Sequence, residues 1–260
     1  MNLTDADAKL LKTHGGYITG YNVQAVASPL RDADGGVHGQ IITAADVTSR
    51  VYDAHELLPM MQQAEQNSGV AAAVTLADAG YHTGANLDAC AGQGRTVVIP
   101  DQQQAWVGRP YHKEQFTYDS ARDSYTCPAG RTLSFFGTRR DRHGGTVRRY
   151  RAGGSVCAAC PAFGACTRDR RFGRTIHAGP HDQALRAHRA WQASDEARRL
   201  SAMRRWLIEP VFSVIKDQQA ARRFLLRGAK NIRAEWSWLA TTFNLRTLAR
   251  AWQRQAALAR

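Results

Sequence analysis

Apolar and polar positions alternate over residues 21–28, with Tyr21, Val23, Ala25 and Ala27 on one face, and residues 40–48 form a second β-branched run. Both predict strands. The intervening Pro-Leu-Arg-Asp-Ala-Asp-Gly-Gly, ending in Asp34-Gly35-Gly36, predicts the turn of a hairpin. From Asp53 the period changes, and Leu57, Leu58, Met61 and Ala64 fall at helical spacing up to about residue 69. Asp53 is the expected N-cap, with Glu56 as its capping-box partner. Residues 72–77 read as a buried strand ending at Asp78-Ala79-Gly80-Tyr81. A short helix over 85–91 and a strand over 96–99 follow. Strand, strand, helix, strand is α/β organisation.

The pattern then changes character. Residues 102–180 are polar and rich in Gly, Arg and Cys, with short strand-like runs at 115–118 and 131–136, as expected of an insertion with its own small fold. From Asp182 onward the spacing is helical, with expected breaks near Ser194, at Pro210 and at Arg227-Gly228. The division predicted is therefore 1–101, 102–181 and 182–260. In the last helix Trp236, Trp238, Leu239, Phe243 and Leu245 are the expected core contacts. Trp191, Trp206 and Tyr81 read as packing residues, Cys90 as a small core residue, and His82 as an exposed loop imidazole.

Composition narrows the class. A chain of 260 residues with 43% hydrophobic and 22% charged side chains is long enough for a sizeable core and is not that of a disordered chain. No apolar run reaches the length of a membrane helix, and the opening MNLTDADAKLLK is not that of a signal peptide, so a cytoplasmic protein is expected. The net charge of +13 is unevenly spread. Residues 1–137 carry 9 basic and 14 acidic side chains, residues 138–260 carry 26 and 8, and 30 of the 35 basic residues are Arg. A basic half built of planar, fork-shaped cations points to nucleic acid as partner.

Three groups could carry chemistry. Asp78 stands at the carboxyl end of a predicted strand, followed by a glycine that permits a sharp turn, where α/β sheets present ligand groups. Arg205, Glu209 and Lys216, spaced by four and seven on an otherwise apolar helix, share one side of it. With Arg204 before them and Arg222, Arg223 and Arg227 after, they suit phosphate contacts. Cys127, Cys157, Cys160 and Cys166 cluster in the basic insertion and are either a tetrahedral zinc site or reduced, partly buried thiols.

In order along the chain, GYNVQAV, DAHELLPMM, LADAGYH, RWLIEPVFSVIK, RRFLLRG and AEWSWLATTFNLRTLA resemble the C-terminal portion of bacterial insertion-sequence transposases of the DDE class. The resemblance covers nearly the whole chain. It implies a ribonuclease H-like mixed sheet, interrupted by the cysteine-containing insertion and completed by the helical segment. It also implies DNA transposition by strand cleavage and strand transfer with Mg²⁺ or Mn²⁺, a homo-oligomer on transposon ends and target DNA, and association with the nucleoid. Asp78 matches the second catalytic aspartate and Glu209 the glutamate, both metal ligands. Arg205 and Lys216 match flanking DNA contacts. The chain departs at Ala202 and Ser213, and no Asp-Gly-Thr segment precedes Tyr21. The expectation is thus a transposase lacking its N-terminal part with the first catalytic Asp, impaired in activity; the competing expectation is a non-catalytic DNA-binding remnant that inhibits full-length copies.

Overall fold

A computed structural model describes residues 4–13, 15–102, 104–141 and 144–258. In chain order its elements are β1 (Lys9–Thr13), β2 (Gly16–Gly20), β3 (Asn22–Arg31), β4 (Val37–Thr48), α1 (Leu57–Ser68), β5 (Thr75–Leu76), α2 (Gly84–Gly92) and β6 (Val97–Val98). There follow α3 (Gln104–Val107), β7 (Thr117–Asp119), β8 (Ser124–Thr126), β9 (Thr132–Arg140), β10 (Thr146–Arg151), α4 (Gly154–Ala158), β11 (Thr175–Ala178), α5 (Asp182–Gln192), α6 (Asp195–Ser213) and α7 (Ala229–Leu258). The chain divides into two compact units, residues 1–100 with 192–260, and residues 101–191.

The first unit is built on the β3–β4 hairpin. Asn22 to Arg31 pair antiparallel with Thr48 to Val37. At the turn, Asp32 accepts from the backbone of Asp34 and Gly36, and Gly35 takes the φ of +84° that a side chain would disfavour. One flank of the hairpin is covered by α7: Ile42 and Val47 share a core with Val211, Ile215, Ile232, Trp236, Ala240 and Phe243. Asn244 pins the register by accepting from Ile42 N and donating to Ile42 O. Trp236 Nε1 donates to Gln24 O at 3.0 Å, satisfying the indole where it is buried.

Several expectations are revised here. The strands anticipated in one mixed sheet occur, among the described residues, as separate pairs: antiparallel β1–β2, antiparallel β3–β4, and parallel β5–β6. The expected strand over 72–77 contracts to Thr75–Leu76, because Ala72 and Ala73 offer no branched side chain to pack across a ladder. Asp53 does not cap α1. The cap position falls on Glu56, without a side-chain bond, and Asp53 begins a 3₁₀ turn because its carboxylate is held by Asn22 and Gln24. Pro210 does not break α6, which runs through it from a Ser194 cap. Trp238 and Leu245 are not core residues; they are 72% and 63% exposed, as is Trp206 at 76%. His82 is half-buried. The mixed α/β character stands.

The second unit is a five-stranded antiparallel sheet in the order β11-β10-β9-β8-β7. One face carries the core of Phe116, Tyr125, Leu133, Tyr150, Ile176 and Ala178. At one margin Arg189 is held by Asp101 and Glu114 at 2.6 and 2.7 Å, and Lys113 and Arg186 pair with Asp182.

Candidate functional site

Asp78 follows β5, is exposed, and turns its Oδ1 back to accept from Gly80 N at 2.8 Å, which starts the 3₁₀ turn Ala79–Tyr81. A second carboxylate stands beside it. A Cβ built on Gly80 would lie 3.0 Å from Asp78 Oδ1 and 3.1 Å from Asp53 Oδ2, so the two oxygens flank the same small volume above this glycine. Asp53 Oδ1 is oriented by the amides of Asn22 and Gln24, which the pleat of β3 places on one face two residues apart. Tyr81 closes the cluster by donating to Gln24 Oε1. Burial, then the charges of Asp53, Asp78 and Glu56, push its hydroxyl well above the ordinary tyrosine value. The phenol is therefore a fixed proton donor.

Asp53 is the residue sequence reasoning missed. No local signal marks it: the need for a polar partner arises only because Gln24 is 4% exposed in the folded chain, and a buried amide must be satisfied.

Glu209 is exposed on α6, which packs against β3, β5 and β6. Arg205 and Lys216 are exposed too, but Lys216 lies in the π-helical turn Val214–Gln218, which shifts it from the seven-residue phase the spacing implied. Its Nζ sits 5.7 Å from the Phe212 ring centroid. Arg204 is half-buried on α6. Arg222, Arg223 and Arg227 are exposed in the segment before α7, and Arg222 is bonded to Asp217 at 2.6 Å.

Among the described residues no three His, Cys, Asp or Glu side chains are gathered as ligands of one ion. Asp78 and Glu209 are thus not joined in a three-carboxylate centre. The Asp53–Asp78 pair does fit a hard divalent ion of the Mg²⁺ type, which is commonly held by one or two carboxylates with water and substrate phosphate completing its shell.

The cysteines are placed differently from a zinc centre. Cys127, Cys157, Cys160 and Cys166 line one cavity of the second unit, yet no three converge on one ion. Cys127 Sγ accepts from Arg131 N at 3.3 Å and Cys157 Sγ from Arg174 N at 3.2 Å, while burial pushes the Cys166 thiol up. All four are free thiols, as is buried Cys90.

Residues 126–249 match the family model of the transposase DDE domain, and this supports a DDE transposase. Glu209 and the four cysteines lie inside the matched span; Asp53 and Asp78 precede it. No curated protein and no solved structure matches the chain. No helix of the described residues is long and apolar enough to cross a membrane.

Proposed function

We propose that the chain is part of a bacterial insertion-sequence transposase with a ribonuclease H-like catalytic domain, acting by divalent-metal-dependent cleavage and transfer of DNA strands. The observation that carries this reading is the match over residues 126–249 to the transposase DDE domain. Asp78 and Glu209 are the catalytic carboxylates, and Asp53 supports Asp78 across Gly80. Mg²⁺ or Mn²⁺, when bound, supplies activation of the attacking oxygen and stabilisation of the leaving one. Asn22 and Gln24 hold Asp53 in place, and Tyr81 anchors Gln24. Arg204, Arg205, Lys216, Arg222, Arg223 and Arg227 contact the phosphates of transposon-end and target DNA, working at the nucleoid.

The test is metal-dependent nicking of DNA by the purified chain beside Asp78→Asn and Glu209→Gln. Nicking that is lost in both variants supports catalysis. Salt-sensitive DNA binding without nicking favours the second reading, a non-catalytic DNA-binding remnant that inhibits full-length copies.

The homo-oligomer belongs to the same proposal, and α7 offers a surface for it. Its inner face is buried through Ile232, Trp236, Ala240 and Phe243, while Trp238, Leu245 and Trp252, seven residues apart, form a second, exposed apolar row with Leu248 beside it. In the heptads from Trp238 to Trp252 the flanking positions are Ser237, Asn244, Ala251, Thr242 and Ala249, all uncharged, so two copies meet without repulsion despite the chain's +13. Two Trp and two Leu expose on the order of 500 Å² per copy, and pairing brings the total to about 1,000 Å², the threshold of a specific interface.

A further inference from the structure

The second unit carries 16 basic and 7 acidic residues, and the proposed phosphate contacts above use none of them. Six of its seven carboxylates are committed elsewhere, and the seventh, Asp169, accepts from the backbone N–H groups of Arg171 and Phe172. Asp101, Glu114 and Asp182 hold Arg189, Arg186 and Lys113; Asp123 holds Arg148; Asp119 stands beside Arg122; Asp141 accepts from Gly145 N. On the sheet face opposite the core, the cations are stacked on rings instead.

That stack arises from a bulge. The β9–β10 register steps from Arg149↔Gly137 to Tyr150↔Phe135, leaving Phe136 unpaired and turned to the same side as Arg149 and Arg151. The guanidinium carbons of Arg149 and Arg151 lie 4.6 and 4.0 Å from the Phe136 centroid. Arg151 and Arg171 lie 4.5 and 4.8 Å from the Phe172 centroid. Three cations and two aromatic rings therefore alternate as Arg149, Phe136, Arg151, Phe172, Arg171. The turn bearing Arg171 and Phe172 is fixed twice: Asp169 Oδ1 accepts from both backbone N–H groups at 3.0 and 2.8 Å, and a Cβ on Gly154 would meet the Arg170 and Arg171 carbonyls at 2.2 and 2.5 Å.

No ion pair among the described residues neutralises these three arginines. A guanidinium stacked on a ring keeps the N–H donors at its edge for phosphate oxygens; Arg151 spends its Nε on Thr175 Oγ1 at 3.4 Å and the Nε of Arg149 is buried, so their terminal amino groups are the donors on offer, while the cations repel one another until an anion arrives. The neighbourhood is of the same sign. His177 pairs with Arg149 across β10–β11 and is held below the ordinary histidine value by burial, then by Arg139, Arg149, Arg174 and Lys113. The open depression of about 290 Å³ beside it is lined by His112, Lys113, Arg174, Thr175, Ile176 and His177, with no carboxylate.

We propose that the ladder of Arg149, Phe136, Arg151, Phe172 and Arg171 is a docking face for the sugar–phosphate backbone of duplex DNA. The choice of DNA among polyanions rests on the transposase reading; the anion-binding character rests on the ladder.

The experiment measures binding of a labelled DNA duplex by the full chain over a salt series. The triple variant Arg149→Gln/Arg151→Gln/Arg171→Gln should bind at least tenfold more weakly at moderate salt. Its salt slope should be shallower by roughly 2–3, about 0.9 for each phosphate no longer neutralised. Arg171→Gln alone, in an exposed turn, should lower the slope by about 1 and guards against misfolding of the triple. Slopes equal to wild type in both variants overturn the proposal. Weakened binding confined to single-stranded RNA, with DNA unchanged, overturns it as well. Absence of nicking by the wild-type chain would sink the catalytic reading without touching the slopes.

Discussion

Gln40 Nε2 donates to the backbone carbonyl of Trp206 at 2.9 Å, the carbonyl that Pro210, lacking an N–H, leaves without its partner in the helical ladder. A side chain from β4 thus closes a gap in α6 close to Glu209. The prolyl ring and the strand together fix the helix that presents this carboxylate.

Gln40→Ala removes that donor and should cost about 1 kcal/mol, a fall in Tm of roughly 2–4 °C for a unit of this size. In the Pro210→Ala background the restored N–H supplies the bond internally, so the same substitution should then cost much less. A double-mutant cycle by thermal denaturation checks the coupling.

Gly80→Ala places a methyl 3.0 Å from Asp78 Oδ1 and 3.1 Å from Asp53 Oδ2. The volume between the carboxylates is filled, and the oxygens must give way. Metal-dependent nicking should fall by tenfold or more, while Tm moves by no more than a few degrees. Unaltered nicking rates would remove the Asp53–Asp78 pair from the site.

Residues near the chain start hold the start of α7. Asp7 Oδ2 accepts from Ala229 N at 2.9 Å, and Asp5 accepts from Gly228 N at 3.2 Å and from Tyr21 OH at 2.7 Å. Asp7→Ala should cost about 1 kcal/mol, the usual worth of a helix cap. The Tyr21 hydroxyl, with the N–H groups of Gly228, Asp7 and Ala8, holds the Asp5 carboxyl below its ordinary value. Its contribution to stability is present above the unfolded-state value of 3.8 and is lost as pH falls through the lower folded value. Asp5→Asn should flatten the acid limb of the stability profile below about pH 4 and leave the neutral limb parallel to wild type.

The exposed row of α7 gives a test of assembly. Trp238→Ala/Trp252→Ala should convert a dimer to monomers in sedimentation experiments while the secondary structure is retained, since both side chains are 72% exposed in the single chain. A wild-type chain that sediments as a monomer at high micromolar concentration would contradict pairing through this face.

His177 provides a reporter of the basic face. Burial and then the charges of Arg139, Arg149, Arg174 and Lys113 hold it low in the free protein. The folded state therefore binds this proton less well than the unfolded state, and stability drains as pH falls below about 6.5. Phosphate docked on the ladder should raise its midpoint in an NMR titration; a midpoint indifferent to DNA would place the anion elsewhere.

Much of this protein was legible residue by residue. The alternation around Tyr21 and Val23, the Asp34-Gly35-Gly36 turn and the helix break near Ser194 each act through neighbours a few residues away, and each is found where the pattern put it. Asp53 was misread because the local signal, an acid three residues before Glu56, matches a capping box. Its actual partners, Asn22 and Gln24, come from a strand about thirty residues earlier. Pro210 was misread for the same reason: the group that relieves it, Gln40, is remote in sequence.

Local sequence determined that residues 229–258 form a helix, because spacing and propensity are properties of the segment itself. It could not determine which way that helix faces. Trp236 and Trp238 both begin rows at helical spacing, and a helix with two apolar sides fits either. Packing against β4 decided the matter: Ile42 and Val47 enclose Trp236 and Phe243, Gln24 O accepts from the Trp236 indole N–H, and Trp238 and Leu245 are left outside. Periodicity is a local quantity, whereas burial depends on which surfaces the rest of the chain brings near.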